Sequence, residues 1–438
     1  LKAQLRSKPA SESALASRIE AIRFAGGAAQ QNAVIQEIEK SLSAVERWVE
    51  DNNYKGYEPF DGLSSYLRPL TFGNLLCERL LQQLVRQSPV NLRPVLGIRP
   101  QDSTKGRGYM AWGYLLRFKA TGEVKYKHKA EECLDWLDGH KCRKFTKHCW
   151  SNHFDFSGRG GRYTRDDPII VWTALIGQAY LEAYEITGET RWLHIADSAS
   201  RWIMDLPRER TARGNCLSYL SFVQESIHNS NMLGAALLAR TAKLTGETPY
   251  LDVARSAMEY SCSRQLPNGA WWYGEGPQWH WIDNFHTGYN LDSLKCYIDN
   301  SGDEAWRENL SRGLTFFKQH FFEDNGCPKY YHNRRYPVDS QCAAQAIDTL
   351  ALFSDDDPFC LDLVVKVARW TIKNMQGSDG HFYYRQYPLM KAKTPMLHWG
   401  QATTYKGLAH LLSRLCKQDA LPTASVLGSG FSVPGRQR

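Results

Sequence analysis

The chain has no CxxC pair among its 11 cysteines, no run of Lys and Arg, and no apolar stretch of membrane-spanning length. Each absence removes a class of protein. Without ~18–20 consecutive apolar residues, no helix crosses a bilayer. Without CxxC or zinc-finger spacing, the odd number of cysteines reads as reduced thiols used as small hydrophobes, which suits a cytoplasmic location. The N-terminal stretch LKAQLRSKPASESALASRIEAIRFAGG lacks the apolar core of a signal peptide, although a start at Leu1 rather than Met leaves secretion open. Neither a helix-turn-helix signal nor a basic run supports nucleic-acid binding. The net charge of +8 does suit an acidic partner.

What is present is soluble, aromatic and repetitive. The 438 residues are 42% hydrophobic and 23% charged, a globular composition. Their 14 Trp and 22 Tyr suit either sugar stacking or a large helical core. A phrase recurs: KATGEVKY at 119–126, EITGETRW at 185–192, KLTGETPY at 243–250, DNSGDEAW at 299–306, and a looser FSDDDPF at 353–359. Each reads as a helix stop followed at once by a helix start, with Gly at the left-handed C′ position and polar residues for the next cap. After each phrase comes a one-sided apolar stripe, such as Trp192, Ile195, Ala196, Ala199, Ile203 and Leu206. Before each phrase the chain is small and apolar nearly all round, as in VWTALIGQAYLEAYEIT. The first kind predicts outer helices and the second inner ones.

Six inner helices are expected near 105–120, 169–187, 229–245, 286–300, 339–353 and 399–415. Six outer helices are expected near 31–51, 123–138, 189–205, 247–264, 303–322 and 356–375, with an inserted helix near 71–87. Six helical hairpins predict an all-α (α/α)6 toroid over 29–418, between flexible segments at 1–28 and 419–438. An open solenoid would need polar caps at both ends, which are missing. Inner-to-outer turns are short, whereas outer-to-inner loops are long, so the long loops gather on one face at the N-termini of the inner helices. Function concentrates on such loops, and converging helix N-termini favour anionic groups.

Those loops hold the candidate residues. The first set is Asp155, Arg162, Tyr163, Arg165 and Asp167 in 150–168, then His228 and Asn229 at an inner helix start. Trp272, Glu275, Trp279, Asp283, His286 and Tyr289 follow in 267–289, and Arg334, Arg385, His398 and Trp399 come later. Simpler roles compete: Asp283, Asp339 and Asn229 suit helix caps, His228 a structural hydrogen bond, and the Asn-Gly and Asp-Gly pairs at 268–269, 325–326 and 379–380 hairpins. His140, Cys142, His148, Cys149 and His153 match no standard zinc spacing, so neither a metal nor a cofactor is expected.

The stretches STKGRGYMAWGYL (103–115), IHNSNMLGAALLAR (227–240) and IDNFHTGYNLDSL (282–294) resemble proteins of bacterial exopolysaccharide-biosynthesis clusters, within the six-hairpin glycosidase superfamily. The resemblance spans about residues 50–418 and extends more distantly to glucuronyl C5-epimerases and uronyl hydrolases and lyases. It implies a carbohydrate-active enzyme and an acidic poly- or oligosaccharide as partner. Three functions are weighed. The first is C5-proton abstraction from a uronate, with His228, His286 and Tyr289 moving the proton and Arg162, Arg165, Arg334 and Arg385 neutralising the carboxylate. The second is glycoside hydrolysis by two carboxyls drawn from Glu275, Asp283, Asp155 and Asp167, with Glu275 expected to titrate high through desolvation. The third is glycan binding without catalysis. Tyr163, Asp167, Asn229, Trp272, Trp279, His398 and Trp399 would line the substrate in any of them.

Overall fold

A computed structural model describes residues 27–419. The expectations for 1–26 and 420–438 lie outside the described residues. In chain order the helices are α1 (Gly27–Asp51), α2 (Leu75–Gln87), α3 (Thr104–Thr121), α4 (Val124–Gly139), α5 (Ile170–Thr187), α6 (Thr190–Met204), α7 (His228–Thr245), α8 (Thr248–Cys262), α9 (Asn284–Ser301), α10 (Arg307–His320), α11 (Ser340–Phe353), α12 (Pro358–Met375) and α13 (Thr403–Asp419). The odd-numbered helices from α3 to α13 form the inner ring. It closes where α13 packs on α3, and α1 packs on α13 to complete the sixth hairpin from the opposite end of the chain. The architecture is the (α/α)6 toroid. α2 is the inserted helix.

Burial explains the two layers. In α5 every residue from Ile170 to Ala183 is buried, because neighbours press on all sides. In α6 only one stripe is buried, including Trp192, Ile195, Ala196, Ala199, Trp202 and Ile203. Each large apolar side chain so placed contributes roughly 1.5–3 kcal/mol. Small residues set the inner seams. A side chain at Gly113 of α3 would strike Tyr405 of α13 at 2.5 Å, and one at Gly177 of α5 would strike Leu237 of α7 at 2.6 Å. The repeated phrase does what its residues predict. Gly122, Gly188, Gly246 and Gly302 lie at φ 69–80°, each donating its N–H to the carbonyl four residues back. The looser fifth phrase has Ser354 there, in the right-handed region.

All six long loops project from one end. They carry short antiparallel strands, such as 156–157 with 162–163, and a three-stranded patch of 338–339, 385–386 and 391–392. The Asn-Gly and Asp-Gly turns sit against outer helices, with Gly269 at φ 91° beneath the Arg312 carbonyl. Several boundaries differ from the periodicity: α1 starts four residues earlier than expected, and α2 and α10 four residues later. α9 starts at Asn284 because Asp283 caps it, its side chain accepting from His286 N–H. The last inner helix opens with a π-helical turn, Leu397–Ala402, before α13.

Candidate active site

The loop end of the ring holds a buried polar cluster that propensity does not explain. Lys105, the second residue of α3, is 5% exposed. Its Nζ lies 3.5 Å from Tyr289 Oη of α9 and 4.7 Å from the Trp172 ring of α5. Tyr289 Oη is 2.7 Å from Tyr109 Oη and accepts from Gln341 Nε2 at 3.1 Å. Trp172 meets His398, whose Nδ1 is 2.7 Å from Glu58 Oε2 but not aligned for a hydrogen bond. Glu58 Oε1 accepts the His398 backbone N–H.

Burial shifts the whole set. Desolvation pulls the Lys105 ammonium down to about 7, against a smaller opposing pull from Glu58. Desolvation pushes the Glu58 carboxyl up to about 7, against the attraction of His153. His153 is drawn down to about 4, and His398 well below its usual range, chiefly by burial. Tyr289 and Tyr109 are pushed up, so both stay phenols. Burial thus brings an amine and a carboxyl toward the range in which a side chain serves well as acid or base at neutral pH. Glu58 also makes stability pH-dependent. Its folded pKa exceeds the unfolded value, so its stabilising share is complete below about pH 4.5 and is lost as pH rises through about 7. Wild type should therefore lose ~3 kcal/mol relative to Glu58→Gln between those limits, read as diverging urea midpoints.

Beside this cluster is a tight pocket lined by Asn229, Trp271, Trp272, Tyr273, Trp281, Asp283, His286, Thr287 and Asn290. Asp283 is the cap and more. Its Oδ1 accepts His286 N–H at 3.0 Å, and its Oδ2 lies 2.7 Å from His286 Nδ1 and accepts Trp281 Nε1 at 2.9 Å. The imidazole is thus fixed through Nδ1, with Nε2 left over, the arrangement that orients a general base. Tyr273 stacks on Trp281 at 4.5 Å and flanks His286 at 4.4 Å, forming an aromatic wall.

The other predicted residues divide. Asn229 lies inside α7 rather than capping it, with its Oδ1 unpaired. His398 and Trp399 belong to the buried layer, Trp399 Nε1 donating to Asp339 at 2.7 Å. Trp272 stacks on His280, and Trp279 packs on Trp281. His228 is held between Ser261 Oγ (3.2 Å) and Glu275 Oε1 (2.8 Å). Glu275 does not titrate high: its hydrogen bond with His228 and the nearby Arg264 hold it below its usual range. Arg385 is spent on Asp339 at 2.6 Å, and Arg162 on Glu78 at 2.9 Å. Tyr163 donates to Glu225, Asp167 caps a turn at Thr164, and Asp155 pairs with Arg68. Arg165 is exposed, and Arg334 lies over Tyr331 at 4.3 Å. The three His of 140–153 disperse: His140 stacks on Trp136, His148 bonds Ser198 and Asp138, and His153 faces the Glu58 cluster, while Cys142 and Cys149 stay side by side. Among the described residues no three His, Cys, Asp or Glu gather as a metal site.

Sequence reasoning missed Lys105, Glu58, Tyr109 and Gln341. Only Lys105 left a signal, as a cation at the start of an otherwise apolar inner helix. A cavity of about 280 Å³ opens on the opposite face, lined by the lower halves of the inner helices. Tyr289 lines it too, so this residue takes part in both the cavity and the cluster.

Among solved structures, a polysaccharide lyase is similar at 11% identity and TM-score 0.57, over 90% of this chain and 99% of that one. The GH76 α-mannanase of Bacteroides thetaiotaomicron is similar at 11% and 0.56, over 73% and 87%. The cellobiose 2-epimerase of Bacillus thermoamylovorans is similar at 9% and 0.54, over 72% and 90%. No protein-family model and no curated protein sequence matches the chain. At such identities the likeness is one of fold: this chain is built on the same (α/α)6 toroid as these solved structures.

Proposed function

We propose that the chain is a carbohydrate-active enzyme that abstracts the C5 proton of a uronate unit in an acidic poly- or oligosaccharide, as an epimerase or lyase. One observation carries the reading. Buried polar atoms without a hydrogen-bond partner crowd the loop end of the ring: His398 Nε2, Asn229 Oδ1, both amide atoms of Asn284, Ser340 Oγ and Thr404 Oγ1. Unpaired buried groups are costly, so this density marks a place for a polar, many-hydroxyl ligand. The six long loops supply the charge, with 23 Lys and Arg against 16 Asp and Glu. The structural relatives act by epimerisation, elimination or hydrolysis according to their names.

His286, oriented by Asp283, removes the proton from one side of the sugar. Tyr289, backed by Lys105, is the candidate proton donor. Donors around the ring stabilise the enolate-like carboxylate. A hydrolase reading also has an observation behind it, because a carboxyl titrating near 7, as Glu58 does, is the form a general acid takes. Incubating the full chain in D2O with uronate oligosaccharides separates the two. C5 deuterium or an ultraviolet-absorbing unsaturated product is expected, and His286→Ala should reduce either by ~10²-fold or more. New reducing ends with neither signal would refute proton abstraction.

A further inference from the structure

The inserted helix α2 is amphipathic the wrong way round. Its inward face is Glu78, Gln82 and Val85. Glu78 accepts Ser157 Oγ at 2.6 Å and Arg162 Nε at 2.9 Å, while Gln82 exchanges two hydrogen bonds with the Ser157 backbone. Its outward face is Leu76, Leu80 and Leu84, each 60–63% exposed. Spacing of four puts them on one stripe. Phe72 is 91% exposed at the turn before the helix, and Tyr66, Leu70, Val90 and Val95 extend the patch. Leu389, 96% exposed, joins it from the 385–392 hairpin, which Arg385 ties to Gln87 at the end of α2. A monomer rarely keeps so much contiguous apolar surface without a use for it.

We propose that this face docks on an anionic lipid bilayer, setting the candidate active site beside the membrane surface. Charge chooses the partner. Residues 62–101 contain five Arg and a single acid, Glu78; Arg93 is buried on Asp61 and Arg68 is paired with Asp155, while Arg99 is exposed and Arg79 and Arg86 are half-buried. Exposed Arg99 and Lys393 lie four residues in sequence from the apolar tips Val95 and Leu389. Apolar side chains entering the headgroup–acyl boundary with cations at headgroup level is how an interfacial amphipathic helix binds. A second copy would set one cationic loop face against another, which opposes dimerisation here. The described chain enters at Gly27 and leaves at Asp419 on the opposite face, the length of a ring helix away, so neither helix end reaches the patch.

The test is cosedimentation of the full chain with phosphatidylglycerol–phosphatidylcholine vesicles and with pure phosphatidylcholine. Binding to the anionic vesicles only, weakened by salt, is expected. Leu76→Gln/Leu80→Gln/Leu84→Gln should weaken it at least ~10-fold, and Phe72→Ser/Leu389→Ser similarly. Unchanged circular dichroism and melting of these surface variants keep misfolding apart from lost docking. Turnover of a soluble oligosaccharide should be unaffected, so failure here is distinct from failure of the proposed reaction. Binding indifferent to lipid charge, binding retained by the triple variant, or a lipid-free dimer that the triple variant abolishes would each overturn the proposal.

Discussion

Lys105→Met is expected to lose turnover of the uronate substrate by ~10²–10⁴-fold while the folded protein becomes more stable. The two effects share one cause. Burial lowers the Lys105 ammonium to about 7, well under its unfolded value near 10.4. Between those values the unfolded chain binds the proton more tightly than the folded one. Stability is therefore fully present above about pH 10.4 and is lost as pH falls to about 7. Methionine removes that penalty, on the order of 4 kcal/mol at neutral pH. It also fills a similar volume beside Trp172, Tyr109 and Tyr289. Opposite movements of the urea midpoint and of kcat/KM would separate loss of chemistry from loss of fold. The pH–rate profile adds a second reading. Lys105 and Glu58 titrate as neighbours near 7, so the wild-type limb there belongs to the pair and should shift or vanish in the variant. A variant that keeps its rate would remove Lys105 from the mechanism.

The fold was legible because its signals are local and repeated. Gly122, Gly188, Gly246 and Gly302 each mark a helix end by a conformation only glycine adopts easily. One-sided and all-round apolar patterns then separate α6 from α5 without any tertiary knowledge. Asp283, His286 and Tyr289 were legible as a group because helical spacing places them on successive turns of one helix. Asp283 nevertheless proved to be cap and histidine partner at once, since two carboxylate oxygens serve two donors. The buried layer was not legible. Glu58 reaches His398 across 340 residues of sequence, and no period links them. The arginines misled for the same reason: an Arg in a loop advertises charge, and only the fold reveals that Glu78 or Asp339 already holds it.

Asp339→Ala should be the most destabilising single change in the loop layer. Asp339 is fully buried and serves three donors. Its Oδ2 accepts Arg385 Nε at 2.6 Å, while its Oδ1 accepts Trp399 Nε1 at 2.7 Å and the Gln341 N–H that starts α11 at 2.9 Å. Alanine strands a buried guanidinium, which costs ~3–5 kcal/mol, and removes a helix cap, which costs about 1 kcal/mol more. Arg385 has Gln87 Oε1 at 3.2 Å and the faces of Tyr384 and Tyr330, but no second carboxylate among its described partners. The damage should spread, because 338–339 pairs with 385–386 and Trp399 packs on Phe285 next to His286. Removing the stranded charge as well should restore much of the loss, so Asp339→Ala/Arg385→Met should unfold at a higher urea concentration than Asp339→Ala alone. A double variant no more stable than the single one would mean that the cap and the indole bond, rather than the ion pair, hold this layer over the ring.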